Sequence, residues 1–199
     1  MNLSRQTQSL IIGSLLGDAY LYPNGTLQIE HQFKHAGYTF WKYEKLQSIA
    51  GKPPVVIERY DARTGKTYRS MRFYTKAVLK NFRNDFYCGR KKIIPDNISG
   101  LIDPFAMAVW FMDDGGRGAH TPRGLVINTS SYSKQEREIL QLVLAEKFGL
   151  STSIHKAGNG FQLYIKAESF NIFVKLVSRY IIPEMQYKLP VDLVTTSPQ

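Results

Sequence analysis

The chain has 199 residues, 43% hydrophobic and 21% charged, so it can bury a core and is too apolar for extended disorder. Its net charge of +10 predicts a polyanionic partner, and the spread of cations among aromatics favours nucleic acid over a membrane surface. A single cysteine, Cys88, excludes an internal disulfide and a cysteine-rich zinc site, and the N-terminus lacks a secretory signature, so we expect an intracellular protein that is not secreted.

The first half begins with an apolar helix from Arg5 to Gly17, which Asp18 ends. Residues 20–25 have the composition of a turn, and residues 26–34 alternate between polar and apolar side chains, which predicts a half-buried strand with a long polar face. The rest of this half is predicted to form a helix, two strands joined by a hairpin loop, a helix and a basic loop, at residues 36–49, 55–60, 66–74, 76–86 and 88–95.

The second half repeats this order. Asp103 is predicted to cap a helix that runs to Asp113, with Pro104 in its first turn. Ser133 and Glu136 have the spacing of a capping box ahead of a helix that ends near residue 148. The remaining segments are predicted to be a loop, a strand, two strands around a tight turn, a helix and a loose tail, at residues 115–124, 125–130, 151–156, 161–166, 168–180 and 191–199.

The spacing of charged residues supports a tandem repeat. Asp18 and Asp114 are 96 residues apart, and Lys92 and Lys188 are also 96 residues apart. Because the elements follow the same order in both halves, we predict two repeats, residues 1–98 and 99–199, related by an approximate two-fold axis within one chain.

The two opening helices are apolar on nearly every side, so we expect them to be buried against each other at that axis. Gly13 and Gly17 lie on one face and allow another backbone to come close. This packing brings Asp18 and Asp114 together. Each acid alone is also explained as a helix-ending residue, but two carboxylates in register predict a cation site, and hard oxygen ligands suit Mg²⁺.

Residues 13–18 (GSLLGD) and 110–115 (WFMDDG) resemble the two motifs of a monomeric LAGLIDADG homing endonuclease of the type encoded in group I introns, and residues 185–190 resemble its ending. The chain departs from the motif at Val109 and Ala19, where the family has glycine. The resemblance covers nearly the whole chain and implies an α+β fold. Two pseudo-symmetric αββαββα repeats would pack their motif helices at the centre and form two antiparallel DNA-binding sheets, shaped as a saddle.

The resemblance also implies a monomeric, site-specific endonuclease. It would make a magnesium-dependent staggered double-strand break in a long, non-palindromic double-stranded DNA target, with Mn²⁺ or Ca²⁺ able to substitute in binding. The motif alignment gives Asp18 and Asp114 as metal-binding carboxylates. Gly17 and Asp113 would contribute mainly backbone carbonyls near the metal.

Further catalytic positions follow from the same resemblance. Lys92 and Lys188 match the basic residues that stabilise charge on the phosphate, and Lys91 competes with Lys92 because the two loops differ in length by one residue. Glu30 and Asn128 match polar positions that organise water.

DNA recognition is expected from the polar strand faces, because two-stranded ribbons and sheets fit the major groove. A solvated strand face is the alternative interpretation for each residue. The candidates are Gln28, Gln32, Lys34, Arg59, Arg63, Lys66, Arg69, Arg72, Arg123, Ser130, Lys156, Gln162 and Lys166.

Other function classes fit less well. The four histidines lack metal-ligand spacing, His31 is expected to be a satisfied buried residue, and the sequence contains no P-loop, nucleophile elbow or apolar run long enough for a membrane. Two alternatives share the fold: an RNA maturase that assists group I intron splicing and binds intron RNA, and a DNA-binding protein that does not cleave. The intact acids weigh against the second.

Overall fold

The structure is a computed structural model that describes residues 3–118 and 124–190. The first half follows the predicted αββαββα order. Its elements are α1 (Arg5–Leu16), β1 (Tyr20–Leu21), β2 (Leu27–Gln32), α2 (Ala36–Lys45), β3 (Val55–Asp61), β4 (Lys66–Tyr74) and α3 (Lys80–Phe86). A hairpin of β5 (Tyr87–Cys88) and β6 (Lys91–Lys92) and a short helix, α4 (Ile98–Leu101), lead to the second half.

The second half has the same order, so the predicted fold is confirmed. Its elements are α5 (Pro104–Asp114), β7 (Gly115–Arg117), β8 (Leu125–Asn128), α6 (Lys134–Phe148), β9 (Thr152–Ala157), β10 (Gly160–Ile165) and α7 (Phe170–Val177). Short 3-10 turns form at Phe33–His35, Ala167–Ser169, Ser178–Tyr180 and Pro183–Lys188. The domain boundary at 98/99 falls at the start of α4 and stays a prediction, and the predicted tail, 191–199, lies outside the described residues.

The two four-stranded antiparallel sheets have equivalent strand orders, β1-β2-β4-β3 and β7-β8-β10-β9. The prediction of a turn at 20–25 and a loop at 115–124 was wrong where β1 and β7 form. These strands of two and three residues are too short to show a period of two, and they form by pairing with β2 and β8. The basic loop at 88–95 likewise contains the β5–β6 hairpin.

Local capping explains where two long helices begin. Asp103 accepts a hydrogen bond from the Ala106 backbone N–H at 2.8 Å and from the Ser9 hydroxyl at 2.7 Å, which ties the start of α5 to α1. Ser133 and Glu136 form the reciprocal capping box ahead of α6. Both predicted caps are confirmed. Within the described residues no helix has both the length and the apolar character needed to cross a membrane.

The fold is centred on the contact between α1 and α5. A side-chain carbon added at Gly13 would lie 2.4 Å from the Ala106 carbonyl oxygen and 2.6 Å from Val109 Cβ. Val109 therefore fills the space that the missing side chain of Gly13 leaves. The two helices can pack this closely with glycine at the contact in only one of them. Gly13 lies against Val109, and Gly17, four residues later, lies against Asp113, four residues after Val109. The two helices therefore run in the same direction and end side by side.

Gly13→Ala tests this contact. Alanine in a helix normally stabilises by ~1 kcal/mol over glycine. Here the added methyl meets backbone, so we expect the free energy of unfolding to fall by about 1–3 kcal/mol, measured by urea denaturation. Gly100→Ala in α4 is the matched control, because its added carbon meets no atom of residues 3–118 or 124–190 within 4 Å. A stabilised Gly13→Ala protein would contradict the close contact.

Candidate active site

Three carboxylates meet where the central helices end. Asp18 follows α1, whereas Asp113 and Asp114 form the last turn of α5. Their environments differ, because 49% of the Asp18 side chain is exposed and the Asp113 side chain is fully buried. The site therefore combines an accessible acid with others that are withdrawn from water.

Asp113 forms a buried ion pair across the two halves. Its carboxylate accepts hydrogen bonds from the Lys42 ammonium at 2.8 and 2.9 Å, from the Tyr38 hydroxyl at 2.9 Å and from the Asp18 backbone N–H at 3.3 Å. It occupies the space beside Gly17, where a side-chain carbon would lie 2.5 Å from it. The first half thus supplies the countercharge for an acid of the second.

The sequence analysis missed Lys42 and Tyr38, both of which are fully buried. The helical spacing of residues 36–49 predicts an inward face of Phe40, Tyr43, Leu46 and Ile49. Tyr43, Leu46 and Ile49 do pack on the core, but Phe40 is 42% exposed. A lysine three residues from Lys45 in an amphipathic helix is typical of a solvated surface. The only available signal was the unmatched second acid, Asp113, which needs a cation if it is buried.

His31 lies between two of the acids. Its Nδ1 is 3.6 Å from Asp18 Oδ2 and its Nε2 is 3.9 Å from Asp113 Oδ1. Its ring lies tilted against the Tyr38 ring, with the ring centroids 4.8 Å apart. His31 is buried as expected, but its Nε2 has no hydrogen-bond partner among the described residues, so the expectation that it is satisfied was wrong. Burial raises the pKa of Asp18, but the neighbouring His31, with the charges of Lys42 and Lys188, leaves it lowered.

Two lysines reach the helix ends in equivalent ways. Lys92 donates to the Gly17 carbonyl at 2.7 Å, and Lys188 donates to the Asp113 carbonyl at 2.9 Å. Burial lowers the pKa of both lysines, and the nearby carboxylates oppose that shift. Lys91 instead lies 3.7 Å from Glu136, so the structure brings Lys92 and not Lys91 to the acids.

Asp114 is the least compensated acid of the cluster. Burial and the charges of Asp18 and Asp113 raise its pKa to about 8, although Lys92 and Lys188 oppose the shift. The positive charge of the two lysines is therefore too small to offset the burial of Asp114 and the charges of its neighbouring carboxylates. The donor set of Asp18 and Asp114 therefore fits a hard divalent cation, which would displace the proton.

Asp18, His31 and Asp113 also bring ligand atoms within 4.8 Å of one another. We do not assign the cation to that set, because Lys42 already neutralises Asp113 and the Tyr38 hydroxyl occupies the same carboxylate. The backbone carbonyls of Gly17 and Asp113 likewise already accept from lysines.

One face of the first sheet packs on the core through residues such as Ile29 and Phe73, and the other carries polar side chains. Residues opposite each other in the register share a face, as Glu30 and Arg72 do. The polar face includes Gln28, Glu30, Gln32, Arg59, Lys66 and Arg72. Arg69 lies on the opposite face, where it pairs with Glu58 at 3.1 Å, so its expected place on the polar face was wrong.

The second sheet presents fewer charges. Asn128 and Gln162 are cross-strand neighbours on its polar face, and Asn128 accepts from the Ser130 hydroxyl at 2.7 Å. His155, which the sequence analysis set aside, is on this face opposite Gln162, whereas Lys156 pairs with Phe161 on the other face, contrary to expectation.

The remaining DNA-binding candidates lie outside the strands or outside the described residues. Lys34 is in the 3-10 turn after β2, and Arg63 is in the β3–β4 loop, 3.8 Å from Asp61. Lys166 immediately follows β10. Arg123 lies outside the described residues.

Comparison with known proteins gives a consistent result. Residues 8–173 match the LAGLIDADG DNA endonuclease family. Probable intron-encoded endonuclease 1 of Wickerhamomyces canadensis is 34% identical over 197 residues, which cover 94% of this chain and 85% of that relative. Cytochrome b mRNA maturase bI2 of Debaryomyces hansenii is 28% identical over 199 residues, which cover 94% of this chain and 74% of the relative. The structure of the homing endonuclease I-WcaI bound to its DNA recognition sequence matches with a TM-score of 0.88 and 32% identity, over 95% of this chain and 88% of that chain.

The buried ion pair yields a stability prediction. Lys42→Met leaves Asp113 buried without a countercharge, so we expect the free energy of unfolding to fall by about 3–5 kcal/mol at pH 7 in urea denaturation. Adding Asp113→Asn to Lys42→Met should restore most of the loss, because neither charge of the buried pair then remains. Lys45→Met, on the exposed side of the same helix, is the control and should change stability little. Equal losses in the single and double variants would refute the coupling.

Proposed function

The chain belongs to the LAGLIDADG DNA endonuclease family, and we propose that it is a homing endonuclease that cuts both strands of a long, non-palindromic DNA target. The observation that carries this proposal is the meeting of Asp18 and Asp114 at the ends of two packed helices. A site at the boundary between pseudo-symmetric halves can face both strands at once.

We assign the divalent cation, Mg²⁺ in the cell with Mn²⁺ or Ca²⁺ able to replace it in binding, to the carboxylates of Asp18 and Asp114. The raised pKa of Asp114 supports this choice, because the site needs positive charge that the lysines do not supply. When bound, such an ion would supply Lewis-acid activation of water and stabilise the leaving oxygen of the phosphodiester. Mg²⁺ retains waters and accepts phosphate oxygens, so two protein carboxylates are enough.

The lysines support the same chemistry. Lys92 and Lys188 hold their ammonium groups at the backbone of the motif ends, one in each half, by hydrogen bonds to Gly17 and Asp113. In these positions each can stabilise negative charge on one scissile phosphate. One lysine for each strand is consistent with two cuts at offset positions, which give a staggered break.

Double-stranded DNA is the partner that the charge distribution favours. Binding by a chain with a net charge of +10 would release counterions from the phosphates, and each half presents a four-stranded antiparallel sheet, a type of element that can enter a groove. The first sheet is rich in arginine and the second carries amide and histidine side chains, so the two ends of a target would differ. A monomer that reads the two halves of its target differently needs no palindrome.

A second activity, RNA maturation, is favoured by the 28% identity to a protein named cytochrome b mRNA maturase bI2. Maturation would involve intron RNA and would not require Asp18 or Asp114. Cleavage and splicing assays on the same acid variants therefore separate the two activities.

Substitution of the shared acids tests the proposal. Asp18→Asn or Asp114→Asn should lower the rate of double-strand cleavage on the order of 1,000-fold or more, because metal-ion stabilisation contributes several kcal/mol to the transition state. DNA affinity should be retained, since neither change removes a positive charge. Asp85→Asn, which neutralises an exposed acid on α3, is the matched control and should cleave at the wild-type rate. Cleavage at the wild-type rate by either acid variant would contradict the assignment of the cation to Asp18 and Asp114.

A further inference from the structure

The side chain of Glu30 accepts contacts from four neighbours on the polar face of the first sheet. Arg59 donates to both carboxylate oxygens, at 2.5 and 3.1 Å, and Ser70 donates at 2.5 Å. Arg72 Nε lies 3.0 Å away, and the Gln28 amide donates at 3.2 Å. One carboxylate therefore fixes the directions of three side chains that were predicted to contact DNA.

These contacts continue beyond Glu30. The Tyr22 hydroxyl donates to the Gln28 amide oxygen at 2.8 Å, so Gln28 is held at both ends of its amide. Arg72 donates to the Tyr74 hydroxyl at 2.5 Å on its other side. Arg72 is only 17% exposed whereas Arg59 is 53% exposed, so Arg59 is the arginine that Glu30 presents to solvent.

A carboxylate at this position lowers the electrostatic affinity of the sheet for DNA. Burial raises the pKa of Glu30, but the hydrogen bonds of Arg59 and Ser70 and the charges of both arginines leave it lowered, so it is ionised at neutral pH. It cancels part of the positive charge that would attract phosphates. Its presence at this position is explained if the fixed directions of its partners matter more than their total charge.

The hydrogen-bonding groups of Gln28 that remain free are of the kind that recognises a base. With its oxygen bonded to Tyr22 and one amide hydrogen bonded to Glu30, Gln28 keeps one donor and one acceptor lone pair, the combination that adenine presents in the major groove. Arginine is suited to guanine, but an unrestrained arginine can turn to a phosphate instead. Holding Arg59 at Glu30 limits that choice.

We propose that Glu30 is a specificity-determining positioning residue, which orients Arg59 and Gln28 so that the first sheet distinguishes bases and does not merely hold phosphates. This inference rests on the proposed DNA-cleaving function and gives Glu30 a different role from the water-organising one that the family resemblance implies. The two roles make opposite predictions for binding in the absence of catalysis.

The test is a binding selection from a randomised double-stranded DNA library in EDTA, so that cleavage plays no part. Glu30→Gln should lose base discrimination by about tenfold over a short run of positions on one side of the selected site. Its affinity for unrelated DNA should stay equal or increase, because a negative charge is removed. Glu58→Gln makes the same charge change at an arginine-paired, 61% exposed glutamate on the opposite sheet face, and should keep the wild-type profile.

A double-mutant cycle shows whether Glu30 acts through Arg59. If it does, Glu30→Gln combined with Arg59→Gln should have the same base profile as Arg59→Gln alone at the positions that Arg59 reads. A purely structural role would lower the melting temperature of Glu30→Gln without changing its profile.

The outcomes separate this inference from the function it rests on. An unchanged profile for Glu30→Gln, whether or not its cleavage rate on the selected site falls, would overturn the positioning role and leave the endonuclease proposal standing. A wild-type protein with no base preference at any position would overturn both.

Discussion

The structure depends on the close approach of α1 and α5. Gly13 has no side chain, so Val109 and the Ala106 carbonyl come into contact with its backbone, and the helices stay in contact to their last turns. This contact buries the apolar sides of both helices, and it fixes where their terminal acids lie. The same packing that holds the halves together therefore brings Asp18 and Asp114 into one cluster.

Bringing three carboxylates together has an electrostatic cost, and the fold offsets it unequally. Asp113 is compensated by Lys42, whereas Asp18 is stabilised by His31 and remains half exposed. Asp114 keeps a raised pKa. The pseudo-symmetry is broken at the position that is glycine in the first motif, Gly17, because that residue leaves the space into which Asp113 extends. One acid of the second motif is thus held in a buried ion pair, and the other is the acid to which we assign the cation.

The features that repeat along the chain could be predicted from sequence. The 96-residue spacing of acids and lysines indicated the repeat, and the glycine at 13 indicated the packing of the central helices. The caps at Asp103 and Ser133 indicated where α5 and α6 begin. These signals are local or periodic, so they can be recognised without knowledge of tertiary contacts. The family resemblance then supplied the short edge strands that residue patterns could not.

The features that depend on tertiary contact were not predictable. Lys42 is buried only because a carboxylate from 71 residues away meets it. The faces of Arg69 and Lys156 follow from strand register, and a slip of one residue reverses every side chain. Glu30 was recognised as important, but only the register with Arg72 and the contact with Arg59 revealed its partners.

A cleavage selection on a randomised double-stranded DNA library, run with Mg²⁺ and in parallel with EDTA, shows whether the two motif helices build one shared site that cuts both strands. We expect a single long, non-palindromic sequence to be enriched, cut in both strands at offset positions, and only when Mg²⁺ is present. Cleavage that persists in EDTA, or a palindromic target that requires two copies of the chain, would contradict the shared site.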